Sequence, residues 1–170
     1  MGDPNRHHTL AAEILRQFPP AQFPRVADVA GGQGRLSLLL AAAGYSPTVF
    51  DLRATDLPKR ERKDVRIGKR PGFARLQRRF DPGQDARDFD LVVGLHPDGA
   101  TEAIVHAADY AAVLCVPCCN YWVGPEIAGR SVVEAIRHVW HDRDIQWSEK
   151  TLPKSGANLV LATRGLTHAV

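Results

Sequence analysis

At 170 residues the chain is long enough for one domain with a real core and leaves little room for a separate substrate-recognition domain. An apolar fraction of 44% suits a globular protein, no stretch is apolar enough to cross a membrane, and Met1 to Gln22 lacks the basic start and continuous apolar block of a signal peptide, so a cytoplasmic protein is expected. The formal charge of +3 is small, but ten of the 22 basic residues fall between Lys59 and Arg79 against only Glu61 and Asp64. That local excess can neutralise phosphates, or can be a solvated helix face plus a strand edge.

In chain order, Met1 to His8 reads as a flexible start. Thr9 caps a helix of about residues 9–18, with Leu10, Ile14, Leu15 and Phe18 on one face, and Pro19-Pro20 stops it. Arg25 to Val29 is the first strand. Gly31-Gly32-Gln33-Gly34 is a tight turn, and a helix from Gly34 to Ala43 follows, with Gly44 as its C-terminal cap. Pro47 to Leu52 carries the second strand. Lys59 to Lys69 reads as a poorly patterned helix, broken by Pro71-Gly72, and Phe73 to Phe80 as a weak third strand. The fourth strand is entered at Asp88-Phe89-Asp90-Leu91-Val92-Val93, a helix covers Ala103 to Asp109, and Ala112 to Val116 is the fifth strand. Ser131-x-x-Glu134 is a capping box for the helix bearing Ile136, Val139 and Trp140. Asp144 to Trp147 and Leu159 to Thr163 close the chain as a strand pair. The alternation predicts an α/β fold: an open, mostly parallel sheet with an antiparallel C-terminal strand and helices on both faces.

The strand–turn–helix at Val26 to Arg35 carries the first functional signal. Glycines let the backbone approach a ligand, and a helix N-terminus offers unpaired N–H groups. Asp28 ends the strand, where its carboxylate would repel a phosphate but can hold an ammonium or a hydroxyl. The run Asp28-x-x-Gly31-Gly32-x-Gly34 resembles motif I of class I S-adenosylmethionine-dependent methyltransferases, with Ala30 in place of the commoner first glycine. The dinucleotide fingerprint fits less well, because Ser37 stands where a third glycine or alanine is expected. The resemblance covers about residues 8–165 and implies a single domain over 1–170 of Rossmann-like class I methyltransferase fold. It also implies S-adenosylmethionine as cofactor, near Asp28, Ala30, Gly31, Gly32, Gly34 and Leu95. Asp51, at the end of the second strand, can accept both hydroxyls of an adenosine ribose. Asp81 resembles the acidic residue that meets the adenine amino group, while Asp81-Pro82-Gly83 is also an ordinary turn signal.

Two polar loops leave the carboxyl ends of later strands, Leu95-His96-Pro97-Asp98-Gly99 and Pro117-Cys118-Cys119-Asn120-Tyr121-Trp122. They resemble the loops of acceptor-stem tRNA 2′-O-methyltransferases and of the related domain fused to glutathione-transferase-like regions, with Asp98 replacing a cysteine and the paired histidines absent. His96 is a candidate general base or a loop-shaping residue. Asp98 can orient it, hold the cofactor ammonium or cap the next helix, and Asn120 is expected to face the methyl group. Cys118, Cys119, Tyr121, Trp122 and Arg70 are candidate acceptor contacts, the aromatic pair as stacking surfaces or as a lid. Cys115 and Cys118 have ligand-like spacing, but without a second CxxC pair no metal is expected. The expected reaction is methyl transfer to oxygen or nitrogen, on structured RNA or, nearly as readily, on a small molecule. A non-enzymatic adenosine-cofactor sensor and an NAD-binding protein remain as alternatives, and the oligomeric state is open.

Overall fold

The computed structural model describes residues 3–118, 121–153, 156 and 158–163. Seven strands form one sheet: β1 (Arg25–Val29), β2 (Ser46–Phe50), β3 (Ala74–Leu76), β4 (Leu91–Leu95), β5 (Ala112–Val116), β6 (Trp147–Thr151) and β7 (Leu159–Thr163). Their order is β3-β2-β1-β4-β5-β7-β6, parallel from β3 to β5, with β7 antiparallel to both β5 and β6. The reversal of direction between β1→β2 and β1→β4 creates the crevice where open α/β sheets bind ligands.

Both faces of the central strands are covered, so their side chains are apolar in both directions. On one face, Val26, Leu91, Val93, Leu114 and Val116 pack with Leu10, Ile14 and Phe18 of α1 (Arg6–Gln17) and with Leu36 and Leu40 of α2 (Arg35–Ala42). On the other, Ala27, Val92, Val113 and Cys115 pack with Ile104 and Val105 of α4 (Thr101–His106) and Ile136, Val139 and Trp140 of α5 (Val132–Asp142). The remaining helix, α3 (Lys59–Arg66), buries no residue at all.

Several boundaries differ from expectation. α1 starts at Arg6, one turn early, because Asn5 rather than Thr9 occupies the N-cap, and the Thr9 hydroxyl donates to the Asn5 carbonyl instead. β3 keeps three of its expected eight residues, and β6 runs over Trp147–Thr151 rather than Asp144 to Trp147. Asp144 adopts φ 55° in the turn before β6, which removes it from any strand. The Ser131–Glu134 capping box forms in full.

Candidate functional site

Two adjoining cavities open at the carboxyl ends of β1, β2, β4 and β5. The larger, of about 690 Å³, is lined by Asp28, Ala30, Gly31, Gly32, Leu36, Leu95, His96, Asp98 and Cys118, and by several cationic side chains. The smaller, of about 380 Å³, is lined by Phe50, Asp51, Leu52, Phe80, Pro97, Gly99 and Tyr121 among others. Ala30, Arg53, His96 and Asp98 belong to both. The sizes fall in the range of small-ligand sites.

The glycine turn is held from beneath. The Ala30 N–H donates to the Phe50 carbonyl at 2.7 Å and the Gly34 N–H to the Gly31 carbonyl at 2.9 Å. Ala30, Gly32 and Gly34 have φ of 56°, 54° and 79°, so the chain turns through left-handed conformations that the two glycines accept without strain. Gly31 is required for a different reason: a Cβ there would lie 2.7 Å from the Asp28 carboxylate. That carboxylate is buried, and the Ser37 hydroxyl donates to it at 2.7 Å. Burial pushes its pKa up to about 6, with the Ser37 bonds opposing. Asp28 thus sits under the turn as a buttress and only touches the cavity. Gly32 is open above, with nothing within 4 Å of where a Cβ would stand. From the far side, Arg75 of β3 donates to the Gly32 carbonyl at 2.8 Å.

Asp51 meets the turn from β2. One carboxylate oxygen accepts the Gly32 N–H at 2.8 Å, and the other accepts the Arg53 N–H at 2.8 Å and its guanidinium at 3.3 Å. Burial raises its pKa, but the bonds from Arg53 and Gly32 outweigh it, so the carboxyl stays below its usual range and ionised at neutral pH. Each oxygen retains acceptor capacity toward the smaller cavity.

Opposite the turn, β4 leads into His96-Pro97-Asp98. His96 and Asp98 also lie in the left-handed region, at φ 54° and 47°. The loop is fixed by the His96 N–H donating to the Val116 carbonyl at 3.0 Å and the Thr101 hydroxyl donating to the Asp98 carbonyl at 3.0 Å. The Cys118 thiol donates to Asp98 at 3.2 Å, joining the loops that follow β4 and β5. Among the described residues four non-glycines have positive φ, and three of them, Ala30, His96 and Asp98, share this site. Such backbone costs on the order of 1 kcal/mol or more per residue, and clusters of it mark sites where geometry is held for a purpose.

Asp28, Ala30, Gly31, Gly32, Asp51, Leu95, His96, Asp98, Cys118 and Tyr121 therefore come together around the two cavities. Gly34 is one step removed, packed against Phe73 and Arg75. Cys119 and Asn120 lie outside the described residues. Asp81 is exposed and lines neither cavity; its carboxylate accepts the Gly83 and Gln84 N–H groups and so caps its own turn. Trp122 is not an exposed stacking surface. Its ring is buried beside His106, and its indole N–H donates to Glu126. Arg70 is exposed and lies 3.9 Å from Asp64, away from both cavities. Cys115 is buried in the sheet, which pushes its thiol pKa far up and leaves it inert.

The sequence reading missed Arg6, His7, Arg35 and Arg53. Arg53 carried a usable signal, two residues past an acidic strand end. Arg6 and His7 carried none, because only the packing of α1 brings its first turn over the cavity. Burial, reinforced by the charges of Arg6, Arg35, His8 and His96, lowers the His7 pKa to about 4. His7 is therefore neutral at pH 7.

No protein-family profile matches the chain, and no curated protein matches it. Solved structures do. A magnesium protoporphyrin IX methyltransferase from Synechocystis with bound S-adenosylmethionine is 16% identical, with a TM-score of 0.63 over 94% of this chain and 78% of that one. A ribosomal-protein methylase from Lactobacillus delbrueckii subsp. bulgaricus is 15% identical, with a TM-score of 0.64 over 95% of this chain and 82% of that one. An amino pentose methyltransferase from Micromonospora echinaspora, involved in calicheamicin biosynthesis and solved with S-adenosylmethionine, is 14% identical, with a TM-score of 0.58 over 94% and 90%. Together with the strand order, these matches establish the fold as that of the class I S-adenosylmethionine-dependent methyltransferases.

Proposed function

We propose that the protein is an S-adenosylmethionine-dependent methyltransferase acting on an oxygen or nitrogen of a small molecule. The observation that carries the reading is the meeting of the open Gly31-Gly32 turn, the ionised Asp51 and the left-handed His96–Asp98 loop around two joined cavities. The cradle fits the cofactor chemically. Asp51 offers carboxylate oxygens for ribose hydroxyls, Leu52, Phe80 and Pro97 offer apolar surface for a purine, and Gly32 leaves its backbone accessible. Held by Asp51 and the Gly32 turn, the cofactor would supply an electrophilic sulfonium methyl group for transfer to an acceptor lone pair, with the carbon–sulfur electrons retained on a neutral thioether.

The chain's own contribution is then positioning and proton management. His96 and Asp98, common to both cavities, stand where nucleoside and acceptor sites adjoin. The His96 imidazole can take the proton an acceptor hydroxyl or amine loses. Asp98, fixed by Cys118 and by its loop, adds a negative charge that favours a cationic reacting centre. Fixed backbone at this point lowers the reorganisation needed for in-line transfer, which can supply much of the rate without a strong base.

The small-molecule acceptor is supported by the larger cavity's volume and by two of the three neighbours, named for a protoporphyrin and an amino pentose. Structured RNA is the second reading, favoured by the exposed basic segment around α3. Radiolabelled methyl transfer to a small-metabolite extract and, separately, to cellular RNA decides between them. Label in the metabolite fraction, lost on Asp51→Ala, is the expected result. Label confined to RNA and abolished by moderate salt overturns the small-molecule acceptor. Calorimetric binding of NAD in preference to S-adenosylhomocysteine overturns the cofactor, and cofactor binding with no turnover on any fraction overturns the enzyme.

A further inference from the structure

Arg6 begins α1 and Arg35 begins α2, and both line the larger cavity. Neither guanidinium has an ion-pair or side-chain hydrogen-bond partner among the described residues. Several other arginines are held by carboxylates. Arg53 is held by Asp51, Arg62 by Asp56 and Arg78 by Asp85. Two cations left without a carboxylate on one cavity wall, with His7 beside them, form an anion site waiting for its ligand.

Charge balance points to the acceptor as the source of that anion. With Arg53 neutralised by Asp51, Arg6 and Arg35 remain on the larger cavity's wall against Asp98, while the Asp28 carboxylate is buried under the turn and held by Ser37. The cofactor is itself a net cation, carrying a sulfonium and an ammonium against one carboxylate. Placing it beside two guanidiniums that have no carboxylate partner is unfavourable unless an anion enters with it. We infer, resting on the methyltransferase reading, that Arg6 and Arg35 bind a carboxylate or phosphate group of the small-molecule acceptor. The acceptor is thus an anionic metabolite, clamped on the α1–α2 side with its nucleophile toward His96. Neutral His7 lines the same wall and can donate or accept a hydrogen bond without adding charge.

The test uses the full chain saturated with S-adenosylhomocysteine, titrated with inorganic phosphate and with benzoate at fixed ionic strength while the melting temperature is followed. At least one anion is expected to give a saturable rise. In the Arg6→Gln/Arg35→Gln double variant its apparent affinity should fall about tenfold, the loss of a charge-assisted bond or two, while Arg6→Lys/Arg35→Lys recovers part of it. Circular dichroism should be unchanged, since neither side chain has a partner to lose. S-adenosylhomocysteine affinity should stay within about threefold in all variants, because its carboxylate is not the occupant. No saturable effect of either anion, or an equal effect in the glutamine variant, overturns the inference. So does a large loss of S-adenosylhomocysteine affinity with 5′-methylthioadenosine unaffected, which would assign the arginines to the cofactor's own carboxylate. Failure of the unaltered protein to bind S-adenosylhomocysteine sinks the methyltransferase reading and this inference with it.

Discussion

The two flanks of β1 are built by different physics. Toward β5, every residue of that strand is buried and α5 contributes Ala135, Ile136, Val139 and Trp140 to a continuous apolar cluster. Toward β3, the strand is three residues long, α3 buries nothing, and from residue 52 to 79 only Leu57 is buried. What holds that second flank is polar. Arg75 donates to the Gly32 carbonyl, the Asp51 N–H to the Leu76 carbonyl, and Arg78 makes a paired contact with Asp85 at 2.7 Å. The site lies between the flanks, with the His96–Asp98 loop anchored on β5 through Val116 and the Asp51 carboxylate drawn from the polar side. A flank latched by hydrogen bonds costs little to displace, so the β3 side is the part of the molecule free to adapt to ligands.

Breaking the apolar flank should have the largest effect. Trp140 is fully buried, and its indole N–H donates to the Val105 carbonyl at 3.0 Å. Trp140→Ala leaves a cavity and an unsatisfied carbonyl, and should destabilise by about 3–5 kcal/mol in denaturant unfolding. Retention of near-native stability would mean that this flank is not the anchor.

Two buried carboxylates sharpen the contrast through pH. Glu13 of α1 is buried; burial alone would raise its pKa, but bonds from Arg16, Lys150 and Gln17 outweigh it and hold it at about 2. Its folded pKa is below the ordinary 4.5, so its contribution is present above pH 4.5 and is lost as pH falls toward 2. Asp28 is the reverse. With a folded pKa of about 6 against 3.8, its contribution is present below pH 3.8 and lost as pH rises through 6. Glu13→Gln should therefore cost roughly 2 kcal/mol near pH 7 and progressively less in acid. Asp28→Asn, at the seam between the flanks, should be relatively more stable above pH 6 than below pH 4. Melting temperatures of the three proteins from about pH 2 to 8 check both slopes, and parallel profiles across that range would refute the assignment.

The smallest effect belongs to α3. Replacing Lys59, Arg60, Lys63 and Arg66 by Gln should move the melting temperature by only about 1–2 °C, since exposed substitutions rarely do more. Methyl transfer to a small molecule should be unchanged. Salt-sensitive loss of RNA binding in this variant, with label in RNA, would make the polar flank a nucleic-acid surface.

The sequence by itself determined what is local or periodic. β5 and β7 were legible to the residue because their runs are short, apolar and bounded by turn signals. The Asp28 to Gly34 turn and Asp51 were legible because glycine position and a carboxylate at a strand end are local constraints. β6 was not, because an edge strand paired only to β7 exposes Ser148, Glu149, Lys150 and Thr151 and loses its apolar alternation. Tertiary structure alone decided which residues meet. Trp122 and Tyr121 are adjacent and both aromatic, yet one turns into the core against His106 and the other lies over Gly99 at the cavity rim. Arg6 and His7 reach the site only because Leu10, Ile14 and Phe18 bury against the sheet and carry the first turn of α1 over the crevice. A contact between segments far apart in the chain leaves no mark in the spacing of either one, so it exists only once the core has packed.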